Sequence, residues 1–400
     1  MGVILREIIP DGTKWGKMGD ILPHWMNLEF GQDLKGPSSI SFDYANDGAH
    51  FERLKGGMYV VPIVGGRHDW YDSIFYIRER AGSLMPGSTS KTTRFGGVSL
   101  RQRLDNVKWM PAIGSNYIDA EMFRYTNLTP GAVIKAGVEN FWSRAKSQFG
   151  DDVPWLSSVG VSPDSNWHYR VDDVIEPTTS VNDIISKYQD LGIGTARFHG
   201  FHLQTAHYDW YTNGPTSDKT DEVQLKIGLN LENGEYEESY DNLITSLLVQ
   251  GAADPFPKDE STQSYVVAWV TAPQEVIDKY GYHEDVLNVA DATNPETLKA
   301  IGQNYLRQHL EPRMSRNFTM VDSLRDPRTG QPLPTPQALV DFECGDSILV
   351  LSSDGAHEEK VYSITMSFSN PESASIGLTL NDYFDSWEVQ FDQRLRRLGG

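Results

Sequence analysis

Apolar and polar residues alternate over short stretches of the first part of the chain, within residues 21–110. Ile40, Phe42 and Tyr44 are separated by single polar residues, which is the pattern of a strand with one buried face. The stretches are short, and the chain has 35 glycines and 21 prolines to punctuate them. Many short strands joined by turns are therefore predicted for this part of the chain.

A longer apolar run at residues 58–64 ends at Gly65-Gly66 and predicts a strand closed by a tight turn. Residues 73–78 then return as its partner strand, and a short helix at residues 99–106 closes the segment. Pro62 has no backbone N–H to donate to a neighbouring strand. We therefore predict that the strand containing it lies at a sheet edge or carries a bulge.

Two helices are predicted in the middle of the chain. Thr129 and Pro130 supply a cap and a proline at the first helical position, and apolar residues then recur at helical spacing as far as Phe149. Ser180 opens the second helix, and Asp183 stands three residues later as its partner in a capping box. The segment between these helices has few periodic signals and is predicted to be a loop.

Residues 222–231 show the clearest strand pattern, because aliphatic residues occupy every second position. The acidic run 232–238 follows and contains Asn233-Gly234, a pair that favours a hairpin turn. Two interpretations of this acidic run stay open: a solvated loop, or a rim that faces DNA or a partner subunit.

The remainder of the chain mixes helices and strands. Its predicted elements are, in order, strands at 243–249 and 265–271, helices at 273–280 and 295–310, and further strands from 313 to 382. The last residues, 383–400, predict an amphipathic helix, because apolar side chains recur three to four apart and Arg394, Arg396 and Arg397 stand near the helix end. The apolar residues of this helix are Phe384, Trp387, Phe391, Leu395 and Leu398.

The charge balance limits the partners of the chain. Thirty-five basic residues against 55 acidic ones give a formal net charge of −20, which opposes binding to nucleic acid through its phosphates. Like charge would still let DNA slide past without sticking. The 400 residues, 39% hydrophobic and 22% charged, predict a soluble globular chain of two to four domains.

Cysteine usage and hydropathy exclude other classes of protein. Cys344 is the only cysteine, which excludes an intrachain disulfide framework and a cysteine-rich zinc site within one chain; we predict that it is buried beside a turn. The N-terminus lacks a basic leader followed by an apolar core, and no apolar run approaches the ~20 residues that span a bilayer. We therefore expect no secretory signal and no membrane insertion by this chain.

Two clusters carry side chains suited to chemistry. His199, His202 and His207 are close in sequence, but on a strand the first two would point to opposite faces, so surface or interface histidines are favoured over a metal site. Asp69 and Asp72 lie among aromatic residues, yet a sugar-cleaving pair needs a defined carboxylate separation that no second motif supports. No phosphate loop, nucleophile elbow or zinc-protease motif occurs. We therefore assign no catalytic, cofactor-binding or metal-ligating residue and predict that the protein is not an enzyme.

Four groups of segments, taken in their order along the chain, resemble the hub (tail-associated) family of siphophages, which is related in fold to the central hub of contractile phage tails. The collinear order carries the resemblance, since each motif by itself is a common turn after a strand. The matching segments are residues 37–44 with 51–61, residues 240–251, residues 280–284 before the helix at 295–310, and residues 342–346 with 375–380.

The resemblance implies a β-rich α+β fold with two tail-tube-like β-barrel domains, an inserted mixed α/β domain and a C-terminal helix. Residues 113–215 depart most from the family pattern. The implied boundaries are 1–112 for the first barrel, 216–234 with 313–382 for the second barrel, 113–215 with 235–312 for the inserted domain, and 383–400 for the amphipathic helix.

The resemblance also implies a structural role, that of a minor tail protein. The chain would be a homotrimeric baseplate hub whose six barrels form a ring that closes the distal tail tube and opens for DNA passage. Its expected partners are the distal tail ring protein, the tape measure protein, and tip and fibre proteins, with neither specific nucleic-acid binding nor a cofactor. Such a protein is made in the host bacterial cytoplasm and resides in the virion, at the distal end of the tail.

A receptor- or carbohydrate-binding baseplate protein is the alternative. Ten tryptophans and eighteen tyrosines motivate it, since aromatic rings offer large, flat apolar surfaces with a polar tip. An aromatic row on one solvent-facing surface, rather than rings buried in cores, would favour this alternative.

Overall fold

The computed structural model describes the chain in stretches separated by gaps. Twenty-three strands, four α-helices and two 3-10 helices lie within the described residues. The described residues are 2–11, 14–34, 36–70, 72–82, 91–113, 115, 123–149, 160–161, 171–190, 197–202, 207–211, 218–240, 243–253, 264–289, 294–307, 309–310, 312–321, 324–325, 328–329, 331–353, 355–370 and 373–381.

The strands, in chain order, are β1 (Val3–Asp11), β2 (Lys14–Ile21), β3 (Trp25–Asp33), β4 (Ser39–Ala45), β5 (Tyr59–Val64), β6 (Phe75–Ala81), β7 (Thr92–Ser99), β8 (Arg124–Leu128), β9 (Gly160–Val161), β10 (Val171–Val174), β11 (Arg197–His202), β12 (His207–Tyr211), β13 (Gln224–Lys226), β14 (Leu231–Ser239), β15 (Ser246–Ala253), β16 (Tyr265–Thr271), β17 (Glu284–Asn288), β18 (Arg313–Met320), β19 (Leu324–Arg325), β20 (Pro332–Leu333), β21 (Ser347–Ser352), β22 (Gly355–Asn370) and β23 (Ser373–Asn381). The α-helices are α1 (Pro130–Phe149), α2 (Val181–Asp190), α3 (Gln274–Tyr280) and α4 (Pro295–Arg307). The 3-10 helices are Phe51–Arg53 and Leu100–Asn106.

One large sheet draws on both ends of the chain. Its hydrogen-bonded order is β14-β18-β23-β22-β3-β4-β7-β6-β5-β1-β2, and β21 joins it through β22 with β13 alongside. All pairings in this sheet are antiparallel except that of β13 with β21. The predicted β-rich class is therefore confirmed. Within the described residues no pairing between the end strands β14 and β2 closes the sheet, so the two barrels stay a prediction.

The N-terminal and C-terminal strands of the sheet meet where β3 pairs with β22. Gly31 lies at this junction, and a Cβ on it would be 2.2 Å from the carbonyl oxygen of Ile364. Phe30 stacks on both Trp70 and Phe368, with ring centroids 5.9 and 5.8 Å apart. All three rings are buried. The core of the sheet is therefore built jointly by strands from the two ends of the chain.

Two smaller hydrophobic cores lie beside the large sheet. The first joins residues of β1 and β5 to the second 3-10 helix, α1 and α2; in it, a Cβ on Gly137 would lie 2.3 Å from the Trp109 ring. The second joins α4 to a three-stranded sheet of order β16-β15-β17. We expected one inserted domain from residues 113–215 and 235–312. The first range contributes to one of these cores and the second range to the other. The domain boundaries stay a prediction.

The predicted starts of α1 and α2 are confirmed. The Thr129 hydroxyl oxygen accepts a hydrogen bond from the Ala132 amide at 3.2 Å, and α1 begins at Pro130. Before α2, the Ser180 hydroxyl accepts from the Asp183 amide at 3.0 Å while the Asp183 carboxylate accepts from the Ser180 amide at 3.2 Å, which is the predicted capping box. None of the helices that the structure describes is both long and apolar enough to cross a membrane.

The strand that contains Pro62 is neither at an edge nor bulged, contrary to our prediction. β5 lies between β1 and β6. The Ile77 amide donates to the Met58 carbonyl at 2.9 Å, so the even-numbered backbone groups of this strand face β6. β6 pairs with β5 only at Tyr59 and Val60. The nitrogen of Pro62 therefore lies beyond that pairing, where no donor is required.

Residues 222–231 do not form the single strand that their alternation predicts. β13 covers only three of them, and Gly228 then turns the chain with a φ of 79°, donating to the Leu231 carbonyl at 2.8 Å. Ile227 and Leu229 are exposed as a result. A glycine at positive φ thus overrides the apolar periodicity.

Asn233-Gly234 does not form the predicted hairpin turn. Both residues lie inside β14, at an irregularity in its pairing with β18 between Glu232 and Glu235. A Cβ on Gly234 would lie 2.5 Å from the Phe318 ring. The glycine therefore makes room for a neighbouring ring instead of reversing the chain.

The strand at 265–271 is confirmed as β16, whereas α4 ends at Arg307, earlier than predicted. The amphipathic helix predicted at 383–400 and most of the loop predicted between α1 and α2 lie outside the described residues.

Candidate interaction surfaces

A partly buried polar cluster connects the turn after β5 to the segment before β21. The Arg67 guanidinium lies 3.0 Å from a carboxylate oxygen of Glu343, which is 276 residues away in the chain. Arg67 also donates to the carbonyl oxygens of Leu339 and Val340, at 3.2 and 3.3 Å. Two turns that are far apart in sequence therefore meet in the fold.

Gln32 of β3 extends this polar cluster to the centre of the large sheet. Its amide nitrogen donates to the other Glu343 oxygen at 3.3 Å, and its amide oxygen accepts from the Cys344 backbone N–H at 2.9 Å. Asp346 accepts from the Glu343 amide at 3.0 Å and lies 3.7 Å from the Lys219 ammonium. Cys344 is buried, as predicted. The segment around Cys344 is therefore a structural link between the two ends of the chain.

The contacts of Asp69 belong to the same polar cluster. Asp69 accepts a hydrogen bond from Arg67 at 3.0 Å. Burial alone would raise the pKa of Asp69, but the hydrogen bond and positive charge of Arg67 outweigh it, so the pKa lies below its ordinary value. Asp72 is buried before β6 in a backbone conformation with φ of 56°. The structure thus gives Asp69 a role in holding Arg67.

The three histidines singled out from the sequence lie on the antiparallel pair β11–β12. His202 is opposite His207, and His199 is opposite Asp209. Their side chains lie outside the described part of the structure, so surface or interface histidines stay a prediction. Among the side chains that are described, no group of three His, Cys, Asp or Glu is placed to hold a metal ion.

β14 is an end strand of the large sheet and is strongly acidic. Glu232, Glu235, Glu237 and Glu238 are exposed on it. The interpretation of this run as a solvated loop is wrong, because the run is a strand paired with β18. Charged side chains on an edge strand oppose unspecific pairing with other edges. A rim that faces DNA or a partner subunit stays a prediction.

Glu359 of β22 is buried and accepts hydrogen bonds from Arg316 and Asn381. Burial raises the pKa of Glu359, and the nearby Arg316 charge offsets this only in part. A carboxyl whose pKa is raised by folding contributes stability below its unfolded pKa, and this contribution is lost as the pH rises through its folded pKa.

We expect Glu359→Gln to remove that loss, because a glutamine does not titrate and has no charge to bury, although it can accept only one of the two hydrogen bonds. The urea midpoint of the variant should then fall less than that of the wild type between about pH 4.5 and about pH 7. Glu358→Gln is the matched control, since Glu358 is the exposed neighbour on the same strand. Equal pH slopes for the wild type and Glu359→Gln would contradict this expectation.

The three-stranded sheet β16-β15-β17 has one covered face and one open face. α4 covers the first, where a Cβ on Gly302 would lie 2.5 Å from Val249. On the other face, Trp269, Leu248 and Val286 form one row across the three strands. Trp269 is 56% exposed and Val286 is 44% exposed. An apolar row therefore faces solvent.

Further exposed side chains border this row. Tyr265 and Val267 precede Trp269 on the same face of β16. Beside the start of β17, the Tyr282 hydroxyl donates to Glu284 at 2.7 Å and lies 3.2 Å from the Ser246 hydroxyl. The aromatic face is defined here as Tyr265, Val267, Trp269, Leu248, Val286 and Tyr282.

Sequence reasoning missed both the polar cluster and the aromatic face. A signal for the aromatic face does exist, because both alternating sets of β16, Tyr265-Val267-Trp269 and Val266-Ala268-Val270, are apolar. A strand that is apolar on both faces is typical of a sheet covered on two sides. No local pattern indicates the polar cluster, since Arg67 and Glu343 come from opposite ends of the chain.

Solved structures of prophage tail proteins match this chain over nearly all of its length. The prophage tail protein gp18 from Listeria monocytogenes EGD-e aligns with a TM-score of 0.58 and 12% identity over 100% of both chains. The 43 kDa tail protein of prophage MuSo2 from Shewanella oneidensis aligns with a TM-score of 0.55 and 14% identity, over 95% of this chain and 98% of that one. The chain has the fold of phage tail proteins.

A tail protein from Neisseria meningitidis MC58 shares this tail-protein fold, with a TM-score of 0.54 and 13% identity over 96% of this chain and 97% of that one. The resemblance to phage tail proteins predicted from the sequence is thereby confirmed, as a likeness of fold. No protein-family model and no curated protein matches the sequence.

Proposed function

We propose that this chain is a structural baseplate hub, or minor tail protein, of a long-tailed bacteriophage. Three copies would form a ring at the distal end of the tail that closes the tail tube until DNA passes. The observation that carries the proposal is the tail-protein fold, which extends over the whole chain.

The topology of the large sheet supports a ring. Each chain contributes one set of strands from its N-terminal part and one from its C-terminal part, joined where β3 pairs with β22. We infer that these two sets are the two tube-like barrels, so that three copies would supply six around a six-fold tube. A closed ring would also cover the end strands β2 and β14, and unpaired strand edges are a hazard for a β-rich protein.

The charge of the chain supports passage of DNA without binding. A net charge of −20 repels phosphates, and the exposed glutamates of β14 concentrate part of that charge on one strand. The partners of such a hub are proteins: two further copies of this chain, the distal tail ring protein, the tape measure protein, and tip and fibre proteins. Neither a cofactor nor membrane insertion enters this role.

Cryo-microscopy of tailed particles that carry this chain tests the proposal, together with the solution mass of the purified chain. We expect three copies in a ring at the distal end of the tail. A single copy, or a position at the periphery of the baseplate, would overturn the hub role. A monomer in solution beside a ring on the particle would show that trimerisation requires the tail.

The aromatic face favours a second candidate function, that of a receptor- or carbohydrate-binding baseplate protein. The exposed rings of Trp269 and Tyr282 would stack on sugar rings, and the Glu284 carboxylate would accept hydrogen bonds from the sugar hydroxyl groups. Calorimetry with host cell-wall polysaccharide would show binding to the wild type and at least about tenfold weaker binding to Trp269→Ala. Ile113→Ala, which changes an exposed residue outside the aromatic face, is the control. Absence of binding to the wild type would remove this candidate.

A further inference from the structure

The aromatic face has the composition of a buried surface. β16 is apolar on both of its faces, the pattern of a sheet covered on two sides. α4 covers one side, where it buries Leu298 and Ile301. Scattered exposed apolar residues are ordinary, but a contiguous apolar row across three strands marks an interaction site. A second layer on this side of the sheet would complete the arrangement that α4 begins.

We propose that residues 383–398 dock as an amphipathic helix on the aromatic face. The apolar stripe of this segment, Phe384, Trp387, Phe391, Leu395 and Leu398, supplies the matching surface. The sheet would then lie between two helices, as a three-layer unit.

The dimensions of the two surfaces agree. As a helix, residues 383–398 would be about 24 Å long and about 10 Å wide. Three strands spaced about 4.8 Å apart, with β16 seven residues long, offer a platform about 14 Å wide and about 23 Å long. α4, with 13 residues, covers the opposite face in the same manner. One helix is therefore enough to cover the aromatic face.

The point of attachment places this segment near the sheet. β23 ends at Asn381, which pairs with Ser315 of β18. β18 begins at Arg313, shortly after Leu310, which packs against the core formed by α4 and the three-stranded sheet. Arg313 also pairs with Ser239 of β14, after which the chain enters β15. The C-terminal segment thus departs beside the strands that lead into and out of the three-stranded sheet.

The acidic border of the sheet gives the helix a direction. Exposed Glu275 on α3 and Glu284 on β17 lie at the end of the sheet where β15 and β17 start and β16 stops. The segment departs at this same end, because β14 and β18 connect to the sheet there. We therefore expect the start of the helix, which carries a partial positive charge, to face the acidic border. The basic residues Arg394, Arg396 and Arg397 would then lie toward the opposite end of the sheet. Docking of this kind concerns the chain itself and holds whether or not the chain serves as a hub.

The rate at which a thiol on the aromatic face reacts with a maleimide tests the proposal. Val267→Cys in the full chain provides an exposed position, and the native Cys344 is buried. We expect that truncation after residue 382, or Trp387→Asp in the full chain, raises the rate at least about tenfold, because the cover is lost. Val389→Asp is the matched control, since Val389 lies off the apolar stripe, and it should leave the rate unchanged.

Cross-linking then identifies the covering copy. The Val267→Cys thiol should form a disulfide with a Phe391→Cys thiol under mild oxidation, and mixed tagged and untagged copies would show whether the segment belongs to the same copy or to a neighbour. Either result supports docking. Equal labelling rates in the truncated and full chains would overturn it. Slow labelling that persists after truncation would assign the face to a second copy, and protection only by cell-wall polysaccharide would assign it to a sugar.

Discussion

Gly31→Ala is expected to break the junction between the two ends of the large sheet. The added Cβ would lie 2.2 Å from the carbonyl oxygen of Ile364 and 3.2 Å from the Thr365 Cα. Both atoms belong to the backbone, so relief requires β3 and β22 to move apart. We expect a loss of about 3 kcal/mol in the free energy of unfolding, the upper end of the range for overpacked core positions, because the contacted atoms are backbone. Urea unfolding measures this loss.

Gly36→Ala is the matched control, because no atom lies within 4 Å of a Cβ at that position. Its effect should stay within about 0.5 kcal/mol. Hydrogen exchange adds a local measurement: in Gly31→Ala, β3 and β22 should lose protection while β15 and β16 keep theirs. Equal midpoints for the two variants would show that the sheet absorbs the added atom, and the junction would then be less constrained than its geometry indicates.

Arg67→Ala is expected to destabilise the chain by leaving Glu343 as a buried carboxylate without its cation. The Glu343 side chain is only 8% exposed, and Arg67 is its partner at 3.0 Å. Removal of one partner from a buried ion pair typically costs about 3–5 kcal/mol, and we expect about 3 kcal/mol because Arg67 is partly exposed. The urea midpoint of the variant measures the change.

Two further variants separate charge burial from simple loss of contacts. Adding Glu343→Gln to Arg67→Ala should recover part of the stability, since the uncompensated charge is then gone while the hydrogen bond with Gln32 remains. Arg53→Ala removes an exposed arginine paired with Glu7 and Asp20 and should leave the midpoint nearly unchanged. If Arg53→Ala and Arg67→Ala were equally mild, the polar cluster would not hold the two ends of the chain together.

The junction and the polar cluster have a consequence for the proposed hub. The pairing of β3 with β22, the stacked rings around Phe30 and the contact of Arg67 with Glu343 all tie the N-terminal strands to the C-terminal ones. These contacts oppose separation of the two sets of strands. In the proposed ring, we therefore expect the movement that opens a path for DNA to take place between copies of the chain and not within this sheet.

Several features of this protein follow from residues that are neighbours in the sequence. Each of these features depends on positions at most a few residues apart: the helix caps at Thr129 and Ser180, the alternation at Ile40 and the strand at 265–271. The resemblance to phage tail proteins also came from the sequence, through the collinear order of segments, and it is confirmed as a likeness of fold. Here local preference and tertiary structure agree.

The tertiary structure alone decided features that depend on distant residues. Gly228 turns the chain inside a run whose alternation predicts a strand. Gly234 leaves room for the Phe318 ring, which comes from a distant part of the chain. The contact between Arg67 and Glu343 likewise has no local pattern that specifies it. The apolar pattern of β16 indicates cover on both faces, and only the tertiary structure shows that one of them is exposed. By itself the sequence determined the helix starts at Thr129 and Ser180, several strands, such as those at Ile40 and 265–271, and the β-rich class, because the preferences that set them are local. The pairing of β3 with β22 was decided by the tertiary structure. It buries Phe30, Trp70 and Phe368 together, and that burial stabilises this register although the residues are far apart in the sequence.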